Sequence, residues 1–285
     1  MALNTSFKQQ VILQQGGNIT VNKRFAKWLY PSNAERIYER QLVRLFKDFN
    51  RFIKENIYPS IETLINEVQF LRPDQATLKL DSWVDNVATL YKATQFYYDN
   101  AINSQVETIT TEQASRISVY NKQQFIKVIQ SAVQVNPLLQ EPYLQTQIKA
   151  FQVNNASLIT KLSQEQASKM QETLYRNLSA GNGAKTIKEE LEKGFDIGIN
   201  RARLIARDQT NKFNGNLTQL RQEELGINQY HWSTSRDERV RVSHKENEGK
   251  SFTWNSSPSN TGHPGYAIRC RCTAQPVITQ DMFSD

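Results

Sequence analysis

From Asn33 to about Asn56, apolar side chains recur at three- and four-residue steps through Tyr38, Leu42, Leu45, Phe46, Phe49, Phe52 and Ile53. This spacing puts them on one side of an amphipathic helix that faces a core. Pro31 stops any helix before it, and Ser32 or Asn33 can cap the new one, with Glu35 in its first turn. Further helical segments are predicted at about 60–71, 74–106, 111–135, 141–161 and 163–179, with breaks at Arg72-Pro73, Asn136-Pro137 and Glu141-Pro142. Gly181-Asn182-Gly183 reads as a turn. A short helix over Thr186 to Lys193, closed by Gly194, follows it, and then a longer one from about Ile199 to Leu225 that ends at Gly226. Beyond Gly226 the period changes: residues 227–242 alternate polar and apolar as a strand does, and 243–275 are rich in Gly, Pro, Ser, Asn and Thr with short β segments. The predicted fold is therefore mainly α, a helical N-terminal region followed by a small α+β C-terminal module. Residues 1–32 form a basic, extended N-terminal arm, 33–179 a helical domain, 180–280 the module and 281–285 a tail.

With 285 residues, 38% of them hydrophobic, the chain can bury a real core. No run of about 18 apolar residues exists, and the start, Met1-Ala2-Leu3-Asn4, lacks the character of a signal peptide, so neither secretion by that route nor a membrane span is expected. The net charge is +7, and residues 1–60 carry ten Lys or Arg against four Asp or Glu. At about 100° per residue, Arg36, Arg40, Arg44, Lys47, Arg51 and Lys54 fall within an arc of roughly 80° opposite the apolar side of the first long helix. Such a stripe suits a row of phosphates or an acidic partner surface, the plainer reading being a solvated basic face. The aromatic cluster Tyr91, Phe96, Tyr97 and Tyr98 is assigned to packing.

Cys270 and Cys272, one residue apart, are ill placed for an unstrained disulfide with each other and point to a reducing compartment or a metal site. With His244 and His263 they make up a four-ligand set of the type that suits tetrahedral Zn²⁺; otherwise the cysteines are a buried strand-edge pair and the histidines hydrogen-bonded loop residues. Asp237, Arg239 and Arg241 are expected to fix loop geometry, with a phosphate or acidic partner facing Arg239 and Arg241 as the alternative. Catalytic signatures are weak: the cysteines have no recognisable nucleophile context, and His231 has no Ser or Asp at a telling spacing. Gly181-Asn182-Gly183-Ala184-Lys185-Thr186 is too short for a Walker loop and has no strand before it.

An ordered set of motifs adds to this reading: Ile205-Ala206-Arg207-Asp208-Gln209-Thr210-Asn211-Lys212, then Tyr230-His231-Trp232 with Asp237 to His244, then Gly249-Lys250-Ser251-Phe252-Thr253-Trp254, and His263-Pro264-Gly265-Tyr266-Ala267-Ile268-Arg269-Cys270-Arg271-Cys272. In that order they resemble the phage head morphogenesis family of Mu protein F-like minor head proteins, closely over about 80 residues and loosely over the whole architecture, including Trp28-Leu29-Tyr30-Pro31 at the start of the helical region. The resemblance implies a non-enzymatic virion protein, present in few copies per head. It would associate with the portal and other head proteins, be assembled in the host cytoplasm, and act in head assembly and DNA packaging or ejection. Double-stranded DNA is then the expected partner of the stripe, with no small-molecule substrate. The resemblance assigns a structural role to Trp232, Asp237, Arg239, Arg241, His244, Gly249, Pro264, Gly265, Cys270 and Cys272. In some relatives cysteines stand near the place of Val240 to His244, giving a two-plus-two pattern; here Arg241 and His244 stand instead, so a fourth zinc ligand must come from His263 or be lacking. The competing readings are a DNA-processing enzyme such as a nuclease, which should show clustered carboxylates or a His-metal motif, and a toxin-like effector, for which the nine residues after Pro276 leave no space.

Overall fold

The computed structural model describes residues 3–69, 76–137 and 141–283. The fold is mainly α, with a small antiparallel sheet near the C-terminus. In order the elements are α1 (Thr5–Gln15), α2 (Ser32–Gln69), α3 (Ala76–Tyr97), a π-helical turn (Tyr98–Ile102), α4 (Asn103–Val133), α5 (Leu144–Ser179), α6 (Ala184–Glu224), β1 (Gln229–Ser233), α7 (Val242–Lys245), β2 (Ser251–Thr253), β3 (Thr273–Pro276) and a final 3₁₀ turn (Gln280–Phe283). Among the described residues no helix is long and apolar enough to cross a membrane. Two compact units emerge, one of residues 1–36, 112–151 and 207–285, the other of 37–111 and 152–206.

Several predicted helix breaks do not occur. α2 runs through Pro59, an exposed position. Mid-helix proline costs about 3 kcal/mol, but Ile53, Ile57, Ile61 and Leu64 keep the apolar face in phase on either side and all are buried. α5 likewise passes residue 162 unbroken, and the π-helical turn joins α3 to α4, which then continues through residue 108, where the sequence predicts a gap. α6 passes through Gly194 and Gly198 rather than ending at the first. Gly198 is used for close approach: a Cβ there would collide with the Gln166 side chain of α5. At Gly181 and Gly226 the backbone does turn left-handed, at φ +72° and +74°, and α5 and α6 end as predicted.

The second unit is a helical core in which Tyr38, Leu42, Phe46 and Phe49 of α2 pack with Met170, Leu174 and Leu178 of α5 and Leu191 and Phe195 of α6. Tyr97 stacks on Phe52 with ring centroids 3.9 Å apart, and Tyr98 is buried. Phe96 departs from the packing assignment at 71% exposure. Three consecutive aromatics, 96 to 98, turn through roughly 200° of helix, so they cannot all face one core.

The first unit gathers the chain start and the C-terminal module. The polar opening of the predicted arm is helix α1, capped by the Asn4 side chain on the Ser6 N–H, with Phe7 and Val11 buried against Phe125, Val128 and Ile129 of α4. The extended part of the arm is pinned: Gln275 accepts from the Trp28 N–H and donates to the Ala26 carbonyl. The sheet has order β2-β1-β3, both pairings antiparallel, with Tyr230 opposite Phe252 and Pro276 and Trp232 opposite Ala274. Only residues 229–233 of the predicted 227–242 strand pair; the rest is loop leading to α7, and Arg236 takes a left-handed φ of +56° that no ladder accommodates. Alternation along β1 points Tyr230 and Trp232 inward, onto Trp254, Cys270, Cys272 and Ala274.

Candidate functional site

The stripe on α2 is where the helical period puts it. Arg36, Arg40, Arg44, Lys47 and Arg51 are exposed and Lys54 is half-buried, while Tyr38, Leu42, Leu45, Phe46, Phe49 and Ile53 are buried. Asp48 lies within the stripe, 4.0 Å from Arg44 and 2.5 Å from Arg51, and Lys54 reaches Glu192 at 2.7 Å. Exposed pairs of this kind are worth about 0–1 kcal/mol, so they do not tie the guanidinium groups down against a polyanion.

In the C-terminal module the motif residues meet in three dimensions. β1 presents Trp232, and the T-shaped contact of its ring with His244 (centroids 5.3 Å, 85°) seats the α7 histidine. Gly249, left-handed at φ +74°, sends its N–H to the Trp232 carbonyl at 2.8 Å. Asp237 accepts from Arg271 and from the Arg239 backbone N–H, and Arg241 donates to the Ile268 carbonyl at 2.6 Å, joining the loop after β1 to the loop before β3. Desolvation works to raise the Asp237 carboxyl, but the contacts with Arg271 and Arg239 outweigh it and hold the group below its ordinary range. Pro264 and Gly265 meet α6: a Cβ on Gly215 would stand 2.7 Å from the Pro264 carbonyl, and Asn211 donates to the Gly265 carbonyl at 2.8 Å. The α6 motif therefore docks the loop, a role for Asn211 and Gly215 that sequence reasoning does not assign. The sequence carries a partial signal: Asn211 stands within the first of the ordered motifs, and Gly215 is a glycine inside a helix.

His244, Cys270 and Cys272, all buried, bring their donor atoms within 4.8 Å of one another. The thiols are free. His244 Nδ1 lies 3.4 Å from Cys272 Sγ and 3.6 Å from Cys270 Sγ. A tetrahedral zinc ion with ordinary Zn–S and Zn–N bonds separates nitrogen and sulfur ligands by about 3.5 Å, so the two His–Cys separations match those of a bound zinc. His263 is not part of this group. Its Nδ1 shares a 2.8 Å hydrogen bond with the Tyr230 hydroxyl among Trp254 and Tyr266, and desolvation lowers its pKa. Of the two thiols, Cys270 is the one pushed toward thiolate, by Cys272 first and then by His244 and backbone N–H groups, against desolvation, while Cys272 is driven the other way.

A cavity of about 310 Å³ opens beside this group. Arg239 and Arg241 line it, as do three arginines to which the sequence assigns no role of their own, Arg207, Arg269 and Arg271. The last two flank Cys270 on either side, which is a partial signal; Arg207, on α6, has only its place in the first of the ordered motifs.

Residues 168–275 match the model of a family described as phage Mu protein F like protein. The match begins on α5, upstream of the predicted module boundary at 180. A curated relative from Haemophilus influenzae, described as an uncharacterized protein, is 28% identical over 244 residues, covering 83% of this chain and 55% of its own length. The chain thus spans about half of that relative. No solved structure matches. Residues 168–275 of this chain, which carry Trp232, His244 and Cys270-Arg271-Cys272, are thus similar to the phage Mu protein F like family.

Proposed function

We propose that the protein is a minor head protein of a tailed bacteriophage. In this reading it is a non-catalytic component placed at the portal of the virion, assembled in the host cytoplasm, that contacts duplex DNA during packaging or ejection. The observation that carries the reading is the family match over 168–275, which takes in the end of α5, all of α6 and the three strands of the C-terminal module. The exposed cationic stripe of α2 supports the DNA contact, because a straight row of charges along a helix can follow a phosphate backbone. Within the module, His244, Cys270 and Cys272 are the residues that would hold a structural zinc ion, whose affinity would add to the folding free energy of a segment with three short strands among the described residues.

The test is biochemical. Heads are purified from infected or induced cells and dissociated stepwise, and the fractions probed for this chain and for the portal protein. Cofractionation with the portal is expected; a chain recovered only outside heads overturns the reading.

A further inference from the structure

The cavity beside the His–Cys group is lined by five arginines and by no acidic side chain. They arrive from separate stretches of the first unit: Arg207 from α6, Arg239 and Arg241 from the loop after β1, Arg269 and Arg271 from the loop before β3. Their neutralisation is incomplete. Glu35 pairs with Arg207 at 3.1 Å, Asp237 with Arg271 and, at 3.4 Å, with Arg239, and the exposed Glu238 reaches Arg239 only at 3.8 Å. Arg241 is bonded to a neutral carbonyl. Arg269 has no hydrogen-bond or ion-pair partner among the described residues, and it is held in the left-handed region at φ +59°, an unfavourable conformation for a residue with a Cβ. Guanidinium groups gathered around one space repel each other unless an anion enters.

We propose that this cavity binds a phosphate group. A carboxylate offers two oxygens, whereas phosphate offers up to four and can engage several guanidinium forks at once. The volume, about 310 Å³, is at the small end of ligand pockets, enough for a phosphoryl group and a little of what it is attached to. The phosphate comes either from free phosphate or a nucleotide, or from the backbone of a nucleic acid; the contact needs neither the α2 stripe nor the portal reading.

Inorganic phosphate is titrated calorimetrically into the full-length chain as purified, with any metal at the cysteines left in place and its content measured, because that metal would contribute to folding of the module. Saturable one-to-one binding is expected. The Arg239→Gln, Arg269→Gln double variant, which leaves the Arg271–Asp237 and Arg207–Glu35 pairs intact, should bind at least about tenfold more weakly with an unchanged melting temperature in phosphate-free buffer. If the double variant melts lower, single Arg269→Gln, whose side chain has no partner to lose among the described residues, replaces it. A short DNA duplex that displaces phosphate identifies the nucleic-acid backbone as the source, and phosphate retained in the presence of duplex identifies free phosphate or nucleotide; both outcomes support the site. The absence of saturable phosphate binding, or equal binding by wild type and folded variant, overturns it.

Discussion

The α2 stripe and the C-terminal cavity set cationic side chains, mostly arginine, in opposite arrangements. On α2 the cations stand in file along one exposed face, and from Arg36 to Lys54 the file covers about 27 Å at helical rise. In the module, loops that are far apart in sequence turn five guanidinium groups toward one space of about 310 Å³. A line of charge favours an extended polyanion, because each cation can release a condensed counterion from a successive phosphate. A cup of charge favours one compact anion, because several forks converge on the same oxygens. Net charge would count the two alike; the backbone that carries the arginines decides what they can hold.

The comparison is broken most forcefully by dismantling the cup while leaving the file alone. Trp232 is 1% exposed at the centre of the module core, and Trp232→Ala is expected to cost about 3–5 kcal/mol in denaturant unfolding. Phosphate binding should be lost with it, while the salt dependence of DNA binding persists. Loss of both would show that the two basic regions do not act separately.

The cysteines are expected to matter somewhat less unless metal is bound. In a Cys270→Ser, Cys272→Ser variant, loss of buried packing alone costs about 1–3 kcal/mol. With zinc in place the wild type should melt lower in chelator while the variant melts low and ignores chelator. Less than about 0.1 zinc per chain by elemental analysis, with no chelator effect, would reject the metal while keeping the packing role.

The smallest effect concerns acid. Glu248 accepts from the Thr234 N–H at 2.6 Å and from Arg236 at 2.8 and 3.0 Å, and these bonds hold its carboxyl below the ordinary range despite opposing desolvation. A depressed folded pKa means that the stabilisation is present above the unfolded glutamate value, near about 4.3, and is lost as pH falls through the folded value. Glu248→Gln should remove that share of the acid dependence and cost less than about 1 kcal/mol at neutral pH, since the Arg236 pair is largely exposed. Melting curves between neutral pH and about pH 3 check this; an unchanged acid limb would mean that Glu248 is solvated rather than engaged.

How far the sequence reveals these regions follows from the range of the forces. The α2 face is legible because a helix period is local: Leu42 and Arg44 are sorted to opposite sides by two residues of rotation. Breakers such as Pro59 and Gly194 mislead because their local cost is outweighed by long apolar faces packed on other helices. The Cys270, Cys272 and His244 grouping is readable as soft-ligand chemistry, but nothing in spacing says that His263 is engaged by Tyr230 instead. The cup is legible only in part: Arg239 and Arg241 are offered as a possible phosphate contact, but Arg207 and Arg269 join them only when α6 and two loops come together.

The central claim, that this protein handles DNA through the α2 file, is tested most directly by titrating duplex DNA at several salt concentrations with wild type and with the Arg40→Gln, Arg44→Gln, Lys47→Gln, Arg51→Gln variant. If the file tracks phosphates, affinity drops and the slope of log affinity against log salt becomes shallower by about 0.9 for each phosphate no longer neutralised, up to about 3.6 for all four. Equal affinity and an unchanged slope in a variant that melts like wild type would contradict it.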